Sequence, residues 1–281
     1  METSILRSLV FILGLALCTS VSAGSFLDRN LHITDGRTSN AAAPLIIAMH
    51  GFLGTSRSMR KKTSFDVLAR KHQLVIAYPN GIKRKWNDGR SASNPVDDAA
   101  YLAALINALV ADGRADPAKI FMVGHSNGGG MAMRMACDHP DLIAGISVAA
   151  TKTPIAYQCA QGTPVPAIFF HGTADPVAPH QGRPNGHRLG GTLSAQDTIS
   201  LWSARNRCGG VHARQKVDRI NDGTSAEIIQ YDQCRAPLFN VLIEGHGHAW
   251  PGAGPRLTRL QGPASEEIDA TALTWWFFSG L

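Results

Sequence analysis

Short, unbroken apolar runs recur along the chain, and longer amphipathic stretches separate them. The runs "PLIIAMHG" (44–51), "HQLVIAYPNG" (72–81), "KIFMVGHS" (119–126), "IAGISVAA" (143–150), "VPAIFFHG" (165–172) and "FNVLIEGHG" (239–247) are rich in β-branched and aliphatic residues. Most end in glycine or in Pro-Asn-Gly turn chemistry, which predicts buried strands. Apolar positions in "VDDAAYLAALINALVADG" (96–113) repeat at steps of three and four and predict a helix. Helices are also expected after the third run, in "GGGMAMRMACDHP", and over 194–208 and 265–281. Continuously apolar strands alternating with helices imply a parallel sheet covered on both faces. In such sheets ligands bind beyond the carboxyl ends of the strands.

Composition narrows this picture. At 281 residues, 44% hydrophobic and 17% charged, the chain can bury one sizeable core. The net charge of +6 is spread, with local clusters only in "MRKK" (59–62) and "KRK" (83–85). Neither is a long basic stripe, so nucleic-acid binding is not expected. The N-terminus joins Arg7 to an apolar stretch, Leu9 to Cys18, and then to the small residues of "VSA". That order predicts a signal peptide over 1–23, cleaved after Ala23. The stretch is too short to span a bilayer. "LALC" (15–18) offers a lipoprotein alternative in which Leu17 is bulky where a small residue belongs. Residues 24–281 then form one domain. Removing 1–23 leaves Cys137, Cys159, Cys208 and Cys234. An even count in an exported chain points to two disulfides, with three pairings open. Pairing of sequence neighbours, Cys137–Cys159 and Cys208–Cys234, is favoured. No Cys-x-x-Cys spacing supports a metal site, and no cofactor is expected.

The chemistry sits just after the strands. Gly124-His125-Ser126-Asn127-Gly128 fits G-x-S-x-G between an apolar strand and a small-residue helix, the setting of a nucleophile elbow. A helix-capping serine or a phosphate loop fits less well, since no Gly-Lys-Ser/Thr follows. A serine needs a base, and the base needs an orienting acid. "FFHGTADPVAPH" (169–180) supplies Asp175 and "GHGHAWPG" (245–252) supplies His246 and His248, in the order serine, acid, histidine. His248 is taken as the base and His246 as a loop or pocket residue. Asp222 in "RINDGTS" is the reserve acid. The amides of Asn127 and of Phe52, in "MHGFLG" (49–54), are the candidate oxyanion donors. Read as a pair, His246 and His248 have the form of a metal site, but no third ligand is indicated.

These motifs resemble the secreted esterase family of polyhydroxybutyrate depolymerases, LpqC-like esterases and type C feruloyl esterases. The resemblance rests on "MHGFLG", "YPNGIKRKWNDGR", "VDD" (96–98), "GHSNGGGMAMRMACDHPD", "HGTADPVAPHQG", "LWSARNRC" and "GHGHAWPG", and covers residues 43 to 252. It implies an α/β-hydrolase fold, no metal or organic cofactor, and a triad of Ser126, Asp175 and His248. It also supports the cysteine pairing above. Three departures stand out. The segment before "PLIIAMHG" is short, so the leading strands are expected to be reduced. His125 and Ala249 differ from what other members often carry. The sequence ends at its last helix, so no polymer-binding domain is expected, and soluble oligomers or small esters suit it better than an insoluble polyester. Trp86, Asn87 and Trp250 are expected to line the substrate cleft, whereas Trp202, Trp275 and Trp276 are expected in the core. "WWFF" (275–278) reads as an apolar helical face against the sheet rather than a membrane contact. The leading expectation is a serine carboxylesterase acting on hydroxyalkanoate oligomers or on hydroxycinnamoyl esters of plant polysaccharide. A peptidase of the same fold ranks lower. A non-catalytic binding protein would not be expected to keep all three triad members.

Overall fold

The computed structural model describes residues 29–90, 95–159, 161–254 and 258–281. The expected signal peptide and Cys18 lie outside them. Nine strands form one sheet: β1 (Leu31–Asp35), β2 (Ala43–Met49), β3 (Val75–Pro79), β4 (Ala115–His125), β5 (Gly145–Ala149), β6 (Ala167–Gly172), β7 (Gly210–Val217), β8 (Ser225–Asp232) and β9 (Leu238–Glu244). Their spatial order is β1-β3-β2-β4-β5-β6-β9-β8-β7. The six strands from β3 to β9 run parallel, and β1, β8 and β7 add antiparallel edges. This is the parallel, doubly covered sheet expected from the apolar runs.

The helices are α1 (Ser56–Thr63), α2 (Phe65–His72), α3 (Asp98–Ala111), α4 (Asn127–Asp138), α5 (Ala195–Arg205), α6 (Thr258–Gln261) and α7 (Ala270–Ser279). Successive side chains of a strand point to opposite faces, and β2 shows the result. Leu45, Ile47 and Met49 pack in a core with α3, α4 and α5. Ile46 and Ala48 pack in a second core with α1, α2 and α7. Two disulfides, Cys137–Cys159 and Cys208–Cys234, tie the loops on the α4–α5 side.

Several elements differ from the sequence expectation, each for a local reason. The last helix begins at Ala270 rather than 265, because residues 265–269 are engaged elsewhere. The Ser265 amide donates to His246 Nδ1, the Glu267 carboxylate accepts from the Arg219 and Ile220 amides, and Asp269 caps the helix. Trp202 is buried as expected, but Trp276 is 56% exposed, because its position on α7 points away from the sheet while Phe277 and Phe278 point inward. Trp275 is half-buried beside His72. Among the described residues, no helix is long and apolar enough to cross a membrane.

The sheet also sets where ligands go. From β2 the chain passes through α1 and α2 to β3 on one side, then through α3 to β4 on the other. The strand order therefore reverses between β2 and β4, and their carboxyl ends open a crevice.

Candidate active site

Strand β4 runs directly into Ser126, whose backbone adopts φ 56° and ψ −122°. Such a conformation is costly for a residue with a Cβ and persists only where its surroundings enforce it. Here the enforcement is close packing. A Cβ on Gly124 would sit 2.1 Å from the Gly128 carbonyl oxygen, and one on Gly128 would sit 2.3 Å from that of Met49. Only glycine lets strand and helix approach this closely. The turn is further fixed by the Ser126 amide, which donates to the Ala149 carbonyl at 2.8 Å.

The loops after β6 and β9, which are neighbouring strands, bring Asp175 and His248 to the same edge. Ser126 Oγ lies 2.9 Å from His248 Nε2, and His248 Nδ1 lies 2.7 Å from Asp175 Oδ2. The other oxygen of Asp175 accepts from the Val177 and Ala178 amides at 2.8 and 2.7 Å. The carboxylate is thus buried yet supplied with donors, as a buried charge requires. Asp222 is elsewhere: it accepts from the Thr224 amide and hydroxyl and from the Glu266 amide.

His246 and His248 turn to different partners. His246 Nδ1 accepts from the Ser265 amide at 2.9 Å and Nε2 donates to the Ala249 carbonyl at 3.1 Å, so this ring braces the loop that carries His248. Burial pushes its pKa down. Among the described residues, no group of histidine, cysteine and acidic side chains is placed to hold a metal. His125 is a second brace, held to the His248 backbone. Its Nε2 donates to the His248 carbonyl at 2.8 Å, and its Nδ1 accepts from Lys62 Nζ at 3.2 Å. Burial, reinforced by the Lys62 charge, holds it well below the usual histidine range. It is therefore neutral.

The two candidate oxyanion donors flank the serine. Asn127 is the first residue of α4, where an amide has no intrahelical acceptor. Phe52 sits in the turn after β2 and is 57% exposed. That turn is held by the Gly54 amide on the Gly51 carbonyl at 2.8 Å and by the Leu53 amide on the Arg84 carbonyl at 2.8 Å. His50 Nε2 accepts from the Gly81 amide at 3.0 Å.

Two cavities meet at Ser126 and Phe52. The larger, about 500 Å³, is lined among others by Trp86, Asn87, Asp88, Lys152 and Arg183. The smaller, about 400 Å³, is lined by His50, Leu53, Arg84, His125 and His248. Trp86 and Asn87 thus line a cavity that also contains Ser126, although Trp86 is only 2% exposed. Trp250 does not. It is buried against Phe65 and Phe170, and its Nε1 donates to Thr271 Oγ1 at 3.0 Å, so it belongs to the core rather than the cleft.

Sequence reasoning missed the supports of the Trp86 loop. The Asn127 side chain accepts from the Trp86 amide at 2.7 Å and donates to the Trp86 carbonyl and to Asp88, both at 3.0 Å. Asp98 accepts from the Asn87 amide at 2.6 Å and pairs with Arg29. The adjacent aspartates of "VDD" were the available signal: Asp97 caps α3, which frees Asp98 for the loop.

Comparison with known proteins identifies the chain's relatives and its fold. The chain is 26% identical over 253 residues to a protein named esterase NocK from Nocardia uniformis subsp. tsuyamanensis, covering 83% of this chain and 73% of that one. It is 25% identical over 227 residues to feruloyl esterase B of Piromyces equi, covering 76% of this chain and 41% of the relative. The structure of an acetyl xylan esterase from Aspergillus awamori superposes with a TM-score of 0.61 at 16% identity, over 89% of this chain and 94% of that one, which establishes a common fold. Residues 27–178, more than half of the chain, match the family model described as esterase PHB depolymerase, and the chain accordingly belongs to that family of carboxylic ester hydrolases.

Proposed function

We propose that Ser126 is the nucleophile, His248 the general base and Asp175 its orienting acid, in hydrolysis of soluble esters through an acyl-enzyme. The observation that carries this reading is the unbroken hydrogen-bonded line from Ser126 Oγ through His248 to Asp175, at the carboxyl edge of the sheet. Asp175 fixes the tautomer that leaves Nε2 unprotonated. His248 takes the hydroxyl proton as Oγ attacks the ester carbonyl. The resulting oxyanion is received by the amides of Phe52 and Asn127. Collapse of the intermediate expels the alcohol, which takes the proton from His248. Water, deprotonated by the same imidazole, attacks the acyl-enzyme, and the acid leaves with Ser126 restored. The two cavities beside Ser126 supply separate room for the acyl and alcohol portions.

Hydroxyalkanoate oligomers are the favoured substrates, in keeping with the family. A hydroxycinnamoyl or acetyl ester of plant polysaccharide is the second reading, supported by the relative named feruloyl esterase B. We further propose that residues 24–281 act as one secreted catalytic domain after removal of 1–23; the two disulfides suit an oxidising compartment. The test compares hydrolysis of a hydroxybutyrate trimer and methyl ferulate by the mature chain and by Ser126→Ala. Loss of the nucleophile is expected to cost on the order of 10⁶ in turnover. Near-full activity of Ser126→Ala would remove the assignment, and turnover of ferulate alone would move the substrate to the second reading.

A further inference from the structure

The larger cavity is cationic beyond what its own carboxylate can balance. Lys85, Arg90, Lys152, Arg183 and Arg188 line it, against one acid among the described residues, Asp88. Asp88 is already engaged, since Arg90 grips both its oxygens at 2.9 and 2.7 Å and Asn127 donates to one of them. Among the described residues, no carboxylate forms an ion pair with Lys152 or Arg183. Lys152 is 1% exposed and directs one N–H to the Ala178 carbonyl, which leaves the ammonium charge itself without a counterion. Arg183 is half-buried, and its guanidinium has no side-chain hydrogen bond among the described residues. Burial pushes both groups down, Lys152 to about 8, with only the Asp175 charge opposing. Buried charges are ordinarily paired. Here two cations face a cavity that also contains Ser126.

We propose that the larger cavity receives a free carboxylate of the ester substrate, held by Arg183 with Lys152 behind it. The inference rests on the reading of Ser126 as the nucleophile of ester hydrolysis. Arg183 offers a planar fork that matches a carboxylate. Lys152 is a fixed point charge whose field is strong because the site is poorly solvated. The chemical class this selects is an ester with an ionised acid on one portion. A hydroxyacid oligomer has that form, since its terminal monomer ends in a carboxylate one unit from the last ester bond. Acetyl and simple feruloyl esters of sugars are neutral and leave both cations uncompensated.

The test uses two pairs of substrates with the whole mature chain at low salt. One pair is the 3-hydroxybutyrate dimer and its terminal primary amide, which differ in charge on the alcohol portion. The other is monophenyl adipate and phenyl hexanoate, which differ in charge on the acyl portion. In one pair the charged member is expected to have the higher kcat/KM, on the order of 10- to 100-fold, the range for hydrogen bonds to ionised groups. The pair that shows it assigns the cavity to the alcohol or the acyl side. Added salt should shrink the preference. Arg183→Gln should reduce the ratio by about tenfold, and Arg183→Lys, which keeps the charge but not the fork, should restore only part of it. Equal kcat/KM within both pairs, with phenyl hexanoate still cleaved and that cleavage abolished in Ser126→Ala, would overturn the inference while leaving the nucleophile in place. Phenyl hexanoate hydrolysis persisting in Ser126→Ala would overturn both. An unchanged ratio in Arg183→Gln would remove Arg183 from the site.

Discussion

Replacing Asp175 by asparagine tests how this site orients its base, and the structure fixes which way the new amide turns. Oδ1 of Asp175 accepts two backbone amides. An NH₂ group there would face two donors and forfeit two buried hydrogen bonds, at about 1–3 kcal/mol each. The asparagine therefore keeps its oxygen on the Val177 and Ala178 amides and turns its NH₂ toward His248 Nδ1, which lies 2.7 Å from Oδ2 in the parent. His248 can then only accept at Nδ1, and its proton moves to Nε2, facing Ser126 Oγ. The base is occupied by a proton at the atom where it must receive one. The expected loss is about 10⁴ in kcat, or about 5.5 kcal/mol in the barrier. Because the two backbone bonds survive, Tm should hardly change, which separates the effect from misfolding. The assay is p-nitrophenyl acetate turnover with thermal unfolding measured on the same sample, and Asp222→Asn, expected to match the parent, as control. Asp175→Asn retaining activity to within about tenfold of the parent, far from the expected 10⁴, would refute the tautomer argument.

Three further outcomes follow from the same contacts. Asn127→Ala removes the side chain bonded to Trp86 and Asp88 but keeps its own amide, so it should lose about 1–3 kcal/mol of stability and raise KM more than it lowers kcat; equal effects on both would place the side chain in the chemistry itself. Gly124→Ala forces a methyl to 2.1 Å from the Gly128 carbonyl oxygen and should cost at least about 1–3 kcal/mol, seen as a lower Tm with reduced turnover; a fully stable, active variant would contradict the packing account of the elbow. Burial holds His125 and His171 well below the usual histidine range, and lowers His50 and His246. On unfolding these rings regain a pKa near ~6.5, so below that pH the unfolded chain binds more protons than the folded one. The contribution of these four rings should be complete above about pH 6.5 and be lost on acidification, by up to ~1.4 kcal/mol per pH unit for each ring. Urea unfolding at several pH values checks this, and a flat profile between neutrality and pH 5 would exclude it.

What the sequence disclosed depends on burial. Strands β2, β5, β6 and β9, and β4 from Ile120 onward, are largely apolar on both faces and read directly as strands. The hairpin of β7 and β8 went unread, because Gly210–Val217 is exposed over most of its length and carries His212, Arg214 and Lys216. Strand β1 was expected only in reduced form, and its five residues, four half-buried and Asp35 exposed, pair with β3. Helices α1 and α2 also escaped notice, since each has eight residues and a basic last turn that masks its short apolar face. At the site, Ser126, Asp175 and His248 were legible because strand ends bear them within dense turn chemistry. Trp250 was misplaced because proximity in sequence to His248 does not fix direction: the loop turns its indole inward to Thr271. The bracing roles of His125, Asn127 and Asp98 need contacts between segments distant in sequence, which no local pattern encodes.

The two ends of the sheet bear on how copies of the chain meet. A sheet edge presents unpaired amides and carbonyls, a template for strand addition by another molecule. At one edge lies β7, whose three basic side chains would confront their own kind if a second copy docked there antiparallel. At the other lies β1, only five residues long and ending at Asp35, which Arg37 clasps. Both borders therefore discourage continuous growth of the sheet from one molecule into the next.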